Sequence, residues 1–393
     1  MQQRTYLDHA ATTPMRRAAI EAMTAELTRV GNPSSLHSSG RDARRVLEES
    51  RELIAAALGA QPAEVIFTSG ATEADNLIMS GAVRARNAQG ADDVVVVTST
   101  VEHHAVLETA QALAADGSAR VEWLGVSRDG RVDLDQLRTV IEGVADRIAV
   151  VTVMWANNET GVVQPIEQVA GLARKAGVLV HSDAVQAVGQ LPIDFASSGL
   201  DALSLSAHKF GGPVGIGALL ARKELELAPV QHGGGQERDL RSGTLDVAAA
   251  AGCAAAIKIS TDELAAEVGR LRGHREKLIT GALTIDGTEL NGVRDPAGSL
   301  PGIANISFAG CQADDLLMLL DQAGIDSSTG SACTAGVSQP SHVLEAMGRS
   351  REQARSSLRF SLGHTTGAAD IDHLLAVLPD AVQRARRASG TAS

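Results

Sequence analysis

Aromatic residues are nearly missing from this sequence: 2% of 393 residues, with two Trp, one Tyr and five Phe. Surfaces that bind single-stranded nucleic acid are built on stacked aromatic rings, so that class of function is disfavoured. The net charge of −12 argues the same way, because a polyanion would be repelled. Three cysteines, Cys253, Cys311 and Cys333, are too few and too scattered for a disulfide framework. No Cys/His spacing resembles a zinc site, and no metal is expected. Runs of roughly eighteen uninterrupted apolar residues, the length a membrane span needs, do not occur. The opening stretch "MQQRTYLDHAATTP" lacks the apolar segment of a secretory signal. The expectation is a soluble cytoplasmic protein with reduced thiols and no membrane association. Lysine is scarce too: five residues against thirty arginines, so each lysine's setting is informative.

What is present is an apolar fraction of 44%, ample for a sizeable core, in which Ala and Gly outnumber bulky residues and favour close helix–sheet packing. Strand-like runs at 64–70, 93–99, 121–126, 148–154, 177–183, 201–207 and 215–221 alternate with helical segments such as 41–58, 103–115 and 165–176. Several of these runs are apolar throughout, as in sheets covered on both faces. The alternation predicts an α/β domain with a mainly parallel seven-stranded sheet. After about residue 250 the texture changes to long helices (251–283, 312–323, 367–387) around strands at 304–310 and 357–363. This predicts a large domain over 14–262 and a smaller α+β domain formed by 1–13 and 263–393.

Three stretches carry candidate chemistry. In "FTSGATEADN" (67–76) a strand ends and a helix begins; Gly70, Ala71 and Thr72 read either as an ordinary helix start or as a phosphate cradle made of free N–H groups. Neither common nucleotide-binding glycine pattern is present. In "HSDAVQAVGQLPID" (181–194), Asp183 falls at the carboxyl end of an apolar strand, where it is either a helix cap or a carboxylate awaiting a cation. In "SLSAHKFGGPVGIG" (204–217), Lys209 sits between a buried strand and a glycine-rich turn. An amine crowded in this way has a lowered pKa and reacts with aldehydes to give a Schiff base. Pyridoxal phosphate demands all three parts: an amine, a carboxylate for its ring nitrogen and a phosphate cup. His103 or its neighbour His104, after the 93–99 strand, supplies a ring to stack on the cofactor. Cys333, within "DSSTGSACTAG" (326–336), has small polar neighbours that suit an accessible nucleophilic thiol, whereas Cys253 reads as helix core.

Taken in order, "YLDHAATTP", "GNPSSLHSSGRDAR", "FTSGATEADN", "EHHAV", "NNETGVVQPI", "HSDAVQAVGQLPID", "SLSAHKFGGPVGIGAL", "GGGQERDLRSGT", "SSTGSAC" and "SSLRFSLG" resemble the cysteine desulfurases of the class V, fold-type I pyridoxal-phosphate enzymes, of the housekeeping and nitrogen-fixation type. The resemblance implies that Lys209 holds the cofactor, Asp183 pairs with its ring nitrogen, Gln186, one helical turn on, bonds its phenolic oxygen, and His103 stacks on the ring and moves protons. It further implies that Ala71, Thr72, Ser206 and His208 bind the phosphate, that Thr244 reaches the phosphate of a neighbouring subunit in a homodimer, and that Asn158 and Arg359 clamp the carboxylate of L-cysteine. Cys333 would take the substrate sulfur as a persulfide and pass it to an iron–sulfur scaffold or another acceptor, including tRNA thiolation. The rival activities are selenocysteine lyase and an aminotransferase of the same fold. A non-enzymatic partner-binding relative is a further alternative, against which the intact Lys209, Asp183, His103 and Cys333 speak.

Overall fold

Seven short strands, six of them buried along their whole length, form one sheet at the centre of the protein. The computed structural model describes residues 4–330, 333–334, 337–338 and 340–390, with side chains at 333, 334, 337 and 338 outside that description. The spatial order is Val65–Thr68, Gly217–Ala221, Ala202–Ser206, Val180–Asp183, Ile148–Thr152, Val95–Ser99 and Arg120–Leu124. Gly217–Ala221 runs antiparallel to both neighbours; every other pairing in the sheet is parallel.

Side chains alternate across the sheet as the pleat requires. Val95 and Val97 face a core completed by helices Ser38–Ala57, Leu134–Val144, Ile166–Lys175 and Val247–Asp262. Val94 and Val96 face the opposite core, built with Ala71–Ala88 and His104–Ala115. Covering both faces is what lets the strands be apolar throughout. Their carboxyl ends are different: Thr68, Ser99, Thr152, Asp183 and Ser206 each close a strand with a polar residue. The parallel strands therefore deliver polar groups to one edge, where ligands bind in open α/β sheets.

A separate core joins Leu7 to residues between 271 and 385. It packs helices Leu264–Ala282, Ala313–Gln322 and Ala368–Ala388 on an antiparallel sheet of Ser357–Ser361, Ile303–Phe308 and Thr288–Asn291. The chain start is bound to it by parallel pairing of Thr5–Tyr6 with Ile325–Asp326. The long helix expected over 251–283 is instead two, Val247–Asp262 and Leu264–Ala282, meeting at Glu263. The first buries Cys253 and Ile257 under the large sheet and the second buries Leu271 and Leu278 in the other core, so the chain must turn where its packing partner changes. Helix Leu134–Val144 and strand Thr288–Asn291 were not singled out by the sequence pattern.

Candidate active site

A cavity of about 630 Å³ opens at the polar edge of the large sheet. Ala71, Thr72, His103, Asn158, Asp183, Gln186, Ser206, His208, Lys209 and Arg359 all line it, although they come from six well-separated stretches of chain. Thr244 is exposed and does not line it. The Cys333 backbone pairs with Ser338 in a short ladder; its side chain lies outside the described residues.

Lys209 follows strand Ala202–Ser206 by a single tight turn. Its Nζ donates to the carbonyls of Ala10 (2.7 Å) and Ala11 (2.9 Å). Burial lowers its pKa from 10.5 to about 8, and the Arg359 charge adds to this against the pull of Asp183 and Asp8. A free-base amine is thereby accessible near neutral pH, which is the condition for attack on an aldehyde.

Asp183 is buried at its strand end, with Oδ1 accepting from the Val185 amide at 2.9 Å. Burial pushes its carboxyl up, and the Val185 bond and the Lys209 charge oppose that. Deeper in the sheet, His181 bridges the hydroxyls of Thr152 (2.8 Å) and Ser204 (2.9 Å), with Asp75 Oδ1 3.7 Å from its Nε2. Burial drives His181 down to about 3 and Glu102 up to about 8, and it raises Asp75, which is also near the Asp183 charge. These groups favour their neutral forms. Of Asp75, Glu102 and Asp183, it is Asp183 that lines the cavity, and a protonated ring nitrogen is a partner that favours its charged form.

Helix Ala71–Ala88 starts at the cavity wall with no side-chain cap among the described residues, so its first N–H groups face the space beside Ser206 and His208. The close fit here depends on Gly217, where a Cβ would stand 2.8 Å from the Gly70 Cα. His208 Nδ1 lies 3.1 Å from the Thr12 hydroxyl. An uncapped helix start, two hydroxyls and an imidazole suit a phosphate. The residues present therefore fit pyridoxal phosphate at both its ends.

His103 caps helix His104–Ala115, its Nδ1 accepting from the Ala105 amide at 3.1 Å. Nδ1 is thus the unprotonated nitrogen and Nε2 carries the hydrogen. The ring faces the open cavity, yet the surrounding protein, and then the Lys209 charge, lower its pKa and favour the neutral imidazole. His104 also lines the cavity but turns to Glu108, 3.3 Å away, and to the ring of His342.

Gln186 lies in a series of turns after the strand, not on the helix the sequence suggested. Its Nε2 donates to the Ala10 carbonyl at 3.0 Å, the same oxygen that accepts from Lys209. Arg359 donates from Nη1 to the Asn158 carbonyl (2.9 Å) and from Nη2 to Asp8 Oδ1 (2.7 Å). Asn158 thus braces the guanidinium through its backbone. The buried Nε has no hydrogen-bond partner among the described residues. An arginine so oriented and not yet satisfied can receive a carboxylate.

Sequence reasoning missed the supporting residues. Ala10 and Ala11 act through carbonyls, for which side-chain chemistry gives no signal. Glu102, Asp75 and His181 sit within quoted or neighbouring stretches, but their burial is a tertiary fact. Cys253 lies in the core as expected, and Cys311 is buried as well.

Residues 5–374 match the aminotransferase class-V family. An IscS-like cysteine desulfurase of Mycobacterium tuberculosis is 56% identical over 385 residues, covering 98% of both chains. The cysteine desulfurase IscS of Methanosarcina thermophila is 40% identical over 98% of this chain and 93% of its own. Among solved structures, a NifS-like protein superposes with a TM-score of 0.89 at 34% identity, over 97% of this chain and 100% of that one. The fold and site define a fold-type I pyridoxal-phosphate enzyme, and the chain belongs to the aminotransferase class-V family, in its cysteine desulfurase branch.

Proposed function

We propose that the protein is a pyridoxal-phosphate-dependent cysteine desulfurase that converts L-cysteine to L-alanine and leaves the sulfur as a persulfide on Cys333. The observation that carries this reading is the convergence of Lys209, Asp183, His103 and Arg359 on one cavity. Bound pyridoxal phosphate supplies an electron sink conjugated with the substrate α-carbon. Asp183 holds the ring nitrogen, His103 covers the ring, and Ala71, Thr72, Ser206 and His208 hold the phosphate. Gln186 bonds the phenolic oxygen. Arg359 and Asn158 orient the substrate carboxylate. Lys209 Nζ takes the proton from the substrate α-carbon and returns it. The Cys333 thiolate attacks the substrate sulfur; the new S–S bond forms as Cβ–S breaks, and Cβ, keeping the electron pair, takes a proton to become the alanine methyl.

The same reading extends to a homodimer in which Thr244, exposed and away from its own cavity, reaches the phosphate of the neighbouring subunit. It includes cytoplasmic delivery of the sulfur to an iron–sulfur scaffold or other acceptor, and a division into a large domain over 14–262 and a small one from 1–13 and 263–393. The test is an assay of alanine and sulfide from L-cysteine with dithiothreitol. Wild-type protein should release both in equal amounts, and Cys333→Ser should lose sulfide release by at least a hundredfold. Equal sulfide from the two proteins would refute the role of Cys333.

A further inference from the structure

Glu159 is a buried carboxylate for which the reaction just described has no use. It is 2% exposed and lies in a tight turn whose geometry is fixed by Asn157: Asn157 Oδ1 accepts from the amides of Glu159 and Thr160, each at 2.9 Å. Two distant pieces of chain meet on its side chain. Ser341, also 2% exposed, donates from Oγ to Glu159 Oε2 at 2.5 Å. The same Ser341 oxygen accepts from the Leu344 amide at 3.1 Å and so caps the short helix His342–Ala346. On the other side Gly330 packs against the carboxylate, where a Cβ would stand 3.4 Å from both Glu159 Cγ and Oε2.

Gly330 and Ser341 bracket ten residues, 331–340, and Cys333 is the third of them. Gly330 and Ser328 line the cavity. Three residues of chain span at most about 11 Å, so fixing Gly330 keeps the Cys333 backbone within that distance of the cavity wall. The approach to the substrate is braced independently. Ser328 and Arg359 exchange backbone hydrogen bonds at 3.2 and 2.7 Å, and Arg359 Nη1 reaches the carbonyl of Asn158, the residue before Glu159. One turn therefore connects the guanidinium in the cavity to both ends of the cysteine-bearing segment. Burial raises the Glu159 pKa, against the Ser341 hydrogen bond and the Arg359 charge, which lower it.

We propose that Glu159 is a positioning residue for sulfur transfer, fastening both ends of the segment that carries Cys333 to the turn that also braces Arg359. This rests on the desulfurase reading above. Attack of one sulfur on another requires alignment of three atoms, and a misplacement of about 1 Å from a remote change is enough to cost a hundredfold.

The test uses holoenzyme variants Glu159→Ala, Glu159→Gln, Ser341→Ala and the double Glu159→Ala/Ser341→Ala. Three rates are read: the cofactor absorbance change on mixing with L-cysteine, persulfide formation on Cys333 in a quenched single turnover, and alkylation of Cys333 by iodoacetamide without substrate. Cys253 and Cys311 are buried, so alkylation of folded protein reports on Cys333. Glu159→Ala should slow persulfide formation at least tenfold and speed alkylation at least threefold, while the absorbance step stays within twofold. Ser341→Ala should slow persulfide formation at least threefold, and the double variant should match Glu159→Ala because the two changes remove one contact. Glu159→Gln keeps an acceptor for Ser341 and should recover to within threefold of wild type. The proposal is overturned if Glu159→Ala, or Ser341→Ala where the former does not fold, leaves persulfide formation and alkylation within twofold of wild type. It is equally overturned if the absorbance step slows as much as the sulfur step. Wild-type protein that never forms a persulfide would instead refute the desulfurase reading, and the alkylation comparison would still decide the fastening.

Discussion

Lys209 owes its reactivity to where the fold puts it. The amine is desolvated, faces the Arg359 charge and is held by two carbonyls from the start of the chain. Lowering its pKa to about 8 enlarges the free-base fraction available at neutral pH more than a hundredfold relative to 10.5. Uptake of pyridoxal phosphate by the apoenzyme should therefore speed up as pH rises through about 8 and level off above it. Stopped-flow absorbance would measure this, and a rate still climbing steeply at pH 9.5 would contradict it. Lys209→Ala should abolish the visible absorbance of the covalently held cofactor. The scarcity of lysine and its setting among small residues made Lys209 legible before the fold was known. The two alanine carbonyls that hold it were not, because any residue carries a carbonyl.

Within the elements, the close approach of strand Gly217–Ala221 to the turn before helix Ala71–Ala88 decides where the helix start proposed as the phosphate cradle sits. A Cβ on Gly217 would stand 2.4 Å from the Leu205 carbonyl and 2.8 Å from the Gly70 Cα. Neither is the end of a flexible side chain, so the backbone itself must give. Gly217→Ala should cost roughly 1–3 kcal/mol of stability, as overpacking usually does, and should weaken cofactor binding at least fivefold. Thermal unfolding and titration of the apoenzyme with pyridoxal phosphate measure the two effects. Unchanged affinity would show that the cradle does not depend on this contact. At this scale the sequence pattern placed all seven central strands, because apolar runs covered on both faces have a strong signature. It misplaced Gln186 on a helix and fused two helices at Glu263, since both errors concern where a segment changes its packing partner.

For the whole molecule, the buried titratable groups oppose one another as pH changes. Glu102, raised by burial from 4.5 to about 8, accepts from the Met154 amide and Ser99 at the ends of two adjacent strands. Its contribution to stability is complete below 4.5 and is lost as pH rises through about 8. His9 and His181 are lowered by burial from 6.5 to about 3, so their contribution is complete above 6.5 and is lost as pH falls toward 3. Apoprotein stability should therefore peak at mildly acidic pH and decline between 6.5 and about 8, by at most about 1.4 kcal/mol per pH unit from Glu102. Glu102→Gln, neutral at every pH, should flatten that decline. Melting temperatures over the range test this, and a variant with the wild-type slope would assign the decline to other groups.

Composition and local pattern alone determined the α/β class and the strand runs, and singled out Lys209 and the Gly70–Thr72 turn as candidates, because each follows from short-range periodicity or from a residue type in an unusual neighbourhood. Only the tertiary structure brought the start of the chain, at Asp8, Ala10 and Ala11, against Lys209 and Arg359, and set Glu159 between Gly330 and Ser341. Those contacts join residues up to hundreds of positions apart. Which carboxylates are buried, and hence which favour the neutral form, depends on the packing of two cores and is carried by no single stretch of sequence.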